Sequence, residues 1–156
     1  MANTFSQINI HVVFTVSGKE NVLVKTFRPE LFKYIAGIIN QSGQYSLAVN
    51  GYQDHVHAFF ELKPSQCLSD IVREVKASSS KWINDKKLVK GKFAWQEGYG
   101  AFSYARSQRD NVINYIINQE THHQKKSFRE EYLDLLNKFE VKYDPTYLFE
   151  FYDDLK

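Results

Sequence analysis

Residues 5 to 16 alternate between apolar and polar, with Ile8, Ile10, Val12, Phe14 and Val16 on one side and Gln7, Asn9, His11 and Thr15 mostly on the other. Side chains in a strand point to opposite faces in turn, so this segment reads as a half-buried strand with one core-facing edge of side chains. The same rule applied to His55 through Leu62 puts Val56, Ala58, Phe60 and Leu62 on one face and His55 and His57 on the other. Two imidazoles on one face can converge on a metal ion. The segment from Tyr45 to Tyr52 precedes this strand and turns at Gln53-Asp54, which predicts a tight hairpin.

Helical spacing fills the intervals. Ser17-Gly18-Lys19 breaks the first strand, and Leu31, Tyr34, Ile35, Ile38 and Ile39 follow Pro29 at helix period until Ser42-Gly43. Leu68, Ile71, Val72, Val75 and Trp82 predict a second helix, interrupted at Ser78-Ser79-Ser80. Strand-like pieces around Phe93 to Gln96 and Ala101 to Ala105 lead into a helix from about Gln108 to Gln124. A further helix near Phe128 to Phe139 and an acidic, aromatic tail from Glu140 to Lys156 follow.

Strand, helix, strand, strand, helix, strand is the split βαβ order of an α+β, ferredoxin-like antiparallel sheet. The first two helices then cover one face, over Ile8, Ile10, Val12 and Phe14 and over Val56, Ala58, Phe60 and Leu62. His11, His55 and His57 belong to the other face. The helix carrying Tyr115 must pack across that face, from its own subunit or from a neighbour.

At 156 residues this is the size of a single domain, 1–156, with a core of about 5–125 and a C-terminal helix and tail over 126–156. A 43% hydrophobic, 15% aromatic composition excludes disorder, and no apolar run is long enough to span a membrane. One cysteine, Cys67, and a beginning at Met1-Ala2-Asn3-Thr4-Phe5-Ser6 without a leader pattern point to a reducing cytoplasm. A formal charge of +2 announces no nucleic-acid binder. The basic residues are nonetheless clustered: Lys76, Lys81, Lys86, Lys87, Lys90 and Lys92, with Arg73, Arg106 and Arg109 as further phosphate contacts, form either a DNA-contacting surface or a solvated helix face.

Tyr115 and Gln119 are four residues apart on the later helix, so phenol and amide point the same way. Two imidazoles, an amide oxygen and a phenol suffice for metal-assisted phosphoryl transfer through a tyrosine. Each motif alone has a plainer reading, as exposed strand histidines and as a core or interface tyrosine. His123 could extend the Gln119 face, or with His122 could cap the helix C-terminus. His11 could touch substrate or be satisfied by a neighbouring side chain.

The segments Asp54-His55-Val56-His57, Ala77-Ser78-Ser79-Ser80, Trp95-Gln96-Glu97-Gly98-Tyr99-Gly100 and Tyr115-Ile116-Ile117-Asn118-Gln119 resemble the single-tyrosine HUH transposases of small bacterial insertion sequences, the IS200-like family. The resemblance covers about residues 5 to 125. It implies that Tyr115 is the nucleophile and that His55, His57 and Gln119 hold a divalent metal, Mg2+ or Mn2+, although the residues alone admit zinc. It further implies cleavage and rejoining of single-stranded DNA at hairpin-bearing ends through a 5′-phosphotyrosine intermediate, in a homodimer with composite active sites. Trp95, Tyr99, Phe102 or Tyr104 could stack unpaired bases. The alternatives are a domesticated relative that binds or nicks repeated hairpin DNA, and a non-catalytic ferredoxin-like nucleic-acid-binding module.

Overall fold

A computed structural model describes residues 3–18 and 22–152. Lys19 of the first predicted break, Met1 and Ala2 at the start and the last four residues of the tail lie outside the described residues. The sheet is four-stranded and antiparallel, in the order β2-β3-β1-β4, where β1 is Asn9–Thr15, β2 Tyr45–Gly51, β3 His55–Glu61 and β4 Gly100–Tyr104. Helices α1 (Arg28–Gln41) and α2 (Leu68–Asp85) lie on one face. They bury Ile10, Val12 and Phe14 of β1 against Val56, Ala58 and Phe60 of β3, with Ile8 and Leu62 at the margin, as the alternation predicts.

The second face is covered as well, so β1 is buried along its whole length rather than half-buried. Helix α3 (Arg109–Ile117) packs Val112 and Ile116 on Phe59. Helix α5 (Phe128–Lys138) and the following chain pack Phe128, Tyr132, Leu135, Leu136 and Phe149 on Val13 and Phe102. Polar β1 positions therefore face a second layer rather than water, which explains why Asn9, His11 and Thr15 are buried. Among the described residues no helix is long and apolar enough to cross a membrane.

Three predicted elements differ in detail. The piece around Phe93 to Gln96 forms no strand, only a single bridge from Trp95 to Val16. Helix α2 runs without a break through Ser78-Ser79-Ser80 because the Ser79 and Ser80 hydroxyls bond back to the carbonyls of Val75 and Ala77. The predicted helix over 108–124 is divided: α3 ends at Ile117, Asn118 leaves helical geometry at φ −91°, ψ 23°, and the short α4 (Gln119–His122) begins anew.

The hairpin that presents the histidines turns tightly. A Cβ on Gly51 would sit 2.1 Å from the His55 carbonyl oxygen, a backbone atom that cannot swing aside. Gly51→Ala is expected to destabilise the protein by about 1–3 kcal/mol, the usual range for overpacking. Urea denaturation would check this, and an unchanged midpoint would contradict the close crossing.

Candidate active site

Strand pairing brings the candidate residues together. His11 and His57 project from adjacent strands, His57 lying opposite Val13 and His55 opposite Thr15. All three histidines are fully buried. His11 Nε2 and His57 Nδ1 are 2.7 Å apart, and the rings stack at 4.9 Å. His55 Nδ1 is 2.7 Å from Asp54 Oδ1. With each Nδ1 engaged, the Nε2 atoms of His55 and His57 face inward, and a carboxylate behind the far nitrogen is the usual support of a metal-binding imidazole. His11, open in the sequence between substrate contact and satisfaction by a neighbour, takes the latter role with His57; its Nδ1 has no hydrogen-bond partner among the described residues.

Gln119 Oε1 reaches to 2.9 Å from His55 Nε2. Tyr115 and Gln119 still point the same way and share a side-chain hydrogen bond, although Asn118 separates α3 from α4. The two side chains also meet at a third residue. Glu131, in the first turn of α5, accepts hydrogen bonds from the Tyr115 hydroxyl and, at 2.9 Å, from the Gln119 amide. Its other oxygen lies 3.2 Å from His57 Nε2, 3.4 Å from His55 Nε2 and 3.0 Å from His123 Nε2. His123 does end α4, its backbone N–H bonding to Gln119, yet its ring enters the cluster, stacked on Tyr52 at 5.4 Å. Asn50 of β2, opposite His57, clamps the end of α3 by donating to the carbonyls of Ile116 and Ile117 at 2.9 and 2.8 Å.

Burial would raise the Glu131 carboxyl, but the charge of His57 and hydrogen bonds with His123, His55 and His57 outweigh it and hold the group well below the usual carboxylate range. Burial would lower His55, but its hydrogen bonds to Asp54 and Glu131 raise it to about 10. Burial dominates for His57 and His11, which are both lowered. Tyr115 is pushed up, first by burial and then by the Glu131 charge, so its phenol is a hydroxyl at neutral pH.

The donor set suits a metal. The inward ligand atoms of His55, His57 and Glu131 lie within 4.8 Å of one another, and each ligand residue is buried. A cleft of about 290 Å³ opens beside Tyr115, with Tyr104, Gln108, Asn111, Lys126 and Lys138 on its walls.

The basic candidates mostly lie elsewhere and have other partners. Arg73 and Lys81 pair with Asp70 and Asp85 on α2, on the sheet face away from Tyr115. Lys76 is half-buried and donates to the carbonyls of Gln96 and Gly98. Lys86 lies over the Trp82 ring, and Lys87, Lys90 and Lys92 follow in the turn beyond α2. Arg106 opens a single 3-10 turn, while Arg109 is tied to Asn9, Gln7 and Glu61. Of the stacking candidates, Phe102 is core, Trp95 packs edge-on against Phe14 and Phe93, Tyr104 borders the cleft, and Tyr99 packs against the α1/α2 core. Sequence reasoning missed Glu131, Asp54 as the His55 support, and Asn50. Only the adjacency of Asp54 to His55 carried a local signal.

The pH dependence of stability follows from the two lowered imidazoles. His11 and His57 remain neutral in the fold while unfolded histidines take up protons below about pH 6.5. Their stabilisation is therefore present above that value and lost as pH falls. In chelator, stability is expected to drop as pH falls from about 6 to 5, with a slope approaching about 1.4 kcal/mol per pH unit for each of these two histidines, since the raised His55, protonated in the fold, opposes the loss only at higher pH. Denaturant melts across that range would measure it, and a flat profile would count against the neutral imidazoles.

Residues 4–119 match the family model described as "Transposase IS200 like". The ISDra2 transposase TnpA of Deinococcus radiodurans is 24% identical over 118 residues, covering 72% of this chain and 84% of that protein. Among solved structures, the fold is similar to that of a Deinococcus radiodurans R1 protein described as a transposase, with TM-score 0.62, 21% identity, and coverage of 76% of this chain and 95% of the other. It is also similar to a REP-associated tyrosine transposase bound to a REP hairpin, with TM-score 0.57, 15% identity, and coverage of 96% and 91%. That second match extends over α5, which lies beyond the span of the family model.

Proposed function

The chain belongs to the IS200-like transposase family, and on that premise we propose that it cleaves and rejoins single-stranded DNA beside a hairpin, with Tyr115 as nucleophile. The observation that carries this reading is the convergence of Tyr115, His55, His57 and Gln119 on Glu131 within one chain. A non-catalytic binding module has no need of a buried phenol aimed at a histidine pair.

In the proposed step the Tyr115 oxygen forms a bond to a backbone phosphorus while the bond from phosphorus to the 3′ oxygen breaks. The phenol proton departs as the new bond forms, and the released 3′ oxygen gains a proton. The product is a 5′-phosphotyrosine and a free 3′-hydroxyl. One phosphoester replaces another, so attack by a second DNA hydroxyl can reverse the step without an added energy source. Glu131 holds the Tyr115 hydroxyl by a hydrogen bond, which limits its orientations before attack. His55, His57 and Gln119 would hold a divalent cation; bound there, it supplies positive charge to the phosphate oxygens.

The cleft beside Tyr115 has room for part of a nucleotide strand, and Lys138 adds positive charge to its wall, where Lys126 is paired with Asp134. Hairpin DNA as substrate is supported by the match along nearly the whole chain to a transposase bound to a hairpin. That likeness is equally compatible with a host-serving relative acting on repeated hairpins. The Tyr115 helix covers the histidine pair of its own chain, with the His57 and Tyr115 rings 5.7 Å apart, so this reading assembles each site in cis and does not need the composite dimer expected from the resemblance.

Tyr115→Phe is expected to keep hairpin-DNA binding and to form no covalent adduct on denaturing gels, with strand cleavage reduced by at least about a thousandfold, as expected when a nucleophile is removed. A phosphotyrosine-linked species in the mutant would sink the assignment. Mixing Tyr115→Phe with His57→Ala protein is expected to stay inactive if sites form in cis; recovery of cleavage would restore the composite dimer.

A further inference from the structure

Tyr115 precedes the break at Asn118, and Gln119 follows it at the start of α4, a four-residue helix too short to hold its own direction in water. The separation of phenol and amide therefore depends on what grips the chain on each side of Asn118.

Two grips lie outside the cluster around Glu131. On the α3 side, the Asn50 amide donates to the carbonyls of Ile116 and Ile117 at 2.9 and 2.8 Å, closing the helix end that immediately follows Tyr115. Asn50 lies in β2 opposite His57, so the tyrosine helix is tied to the strand pair that carries the histidines. On the α4 side, Glu120 pairs with Lys25 Nζ at 2.8 Å and with Arg28 Nη2 at 3.8 Å. Lys25 is exposed and adds little. Arg28 is buried and fixed: its Nη1 donates to the Leu23 carbonyl at 2.8 Å, and its guanidinium lies over the Tyr52 ring at 5.3 Å. Tyr52 in turn stacks on His123, so Arg28 braces both ends of α4. Ile117, between the two grips, is exposed and borders a cleft of about 420 Å³, so close apolar packing does not fix the joint there.

We infer that Asn50 and Arg28 are positioning residues for strand cleavage, holding the α3–α4 joint so that Tyr115 and Gln119 face one phosphate together. The inference rests on the reading of Tyr115 as nucleophile. Both residues act through backbone carbonyls and neighbouring side chains, not on the reacting atoms. Without the Asn50 amide, the two carbonyls turn to water and the helix end is released while the sheet and its core stay in place. Attack is far more sensitive than folding to that release, since a misplacement of about 1 Å costs about a hundredfold in rate. Binding of hairpin DNA does not depend on the alignment, so rate and affinity should part.

The test uses the full chain and hairpin-bearing single-stranded DNA, with the single-turnover rate of adduct formation read on denaturing gels and affinity by fluorescence anisotropy. Each variant is first confirmed as folded by circular dichroism. Asn50→Ala, and Asn50→Asp, which keeps the shape but cannot donate when ionised, should lower the rate by about ten- to a hundredfold with affinity within about twofold. Asn50→Gln retains the donors and should lose less than either. Arg28→Lys, which keeps charge without the guanidinium plane, and Glu120→Ala, at an exposed position, should each lower the rate by about threefold, the scale of one partly exposed ion pair. Asn84 exchanges two hydrogen bonds with Phe93 on the opposite face of the sheet, so Asn84→Ala should leave the rate unchanged even where it lowers the melting temperature.

A wild-type rate in the folded Asn50 variants, an equal fall in Asn84→Ala, or a loss confined to DNA affinity would overturn the inference. A wild-type rate in Glu120→Ala overturns the α4 half, and that variant decides it alone if Arg28→Lys does not fold. Tyr115→Phe separates the two levels. If it still forms the adduct, the nucleophile reading is wrong. If it is inactive while Asn50→Ala and Glu120→Ala cleave at the wild-type rate, only the positioning role fails.

Discussion

The centre of this protein depends on one ionised carboxylate held out of water. Glu131 is 3% exposed, and an isolated carboxylate there would be strongly disfavoured. It is tolerated because imidazoles, an amide and a phenol surround it, from β3 and from the α3–α4 segment. The same contacts dock α5 against the sheet. Apolar packing of Phe128, Tyr132, Leu135 and Leu136 brings the helix close, and the polar cluster sets its position along the strands.

Period-two alternation made the sheet legible. It placed Val56, Ala58 and Phe60 under the first two helices and separated His55 and His57 from them, because burial on one face leaves a pattern that adjacent residues cannot imitate. The second layer was harder to read. His11, Asn9 and Thr15 are polar and would suit a solvated face equally well; what buries them is a helix more than a hundred residues away. Glu131 follows Glu130 in the first turn of α5, where acidic side chains ordinarily do no more than complement the helix N-terminus. Its partners are visible only in three dimensions. The break at Asn118 was equally hidden, since Tyr115 and Gln119 keep the contact of helical neighbours across it and meet again at Glu131.

Charge was misleading in a different way. The lysine-rich stretch after Arg73 draws the eye, yet Arg73 and Lys81 have acidic neighbours on their own helix and lie on the layer opposite Tyr115. Lys126 and Lys138, scattered in the sequence, border the cleft beside the phenol. Position on the fold, and not local density, decides which cations can face a strand entering the site.

The His11 to Glu131 span has a consequence for biosynthesis. The first imidazole of the cluster emerges early from the ribosome and its carboxylate partner more than a hundred residues later. Until then α3 alone covers part of that face of β1 and β3, and the inward nitrogens of His55 and His57 have no carboxylate to face. Closure is consequently a late, non-local event, of the slow kind that long loop closures impose. A nascent or truncated chain that stops short of α5 would carry the tyrosine and the histidine pair without Glu131, so the cluster is not complete before the whole fold is.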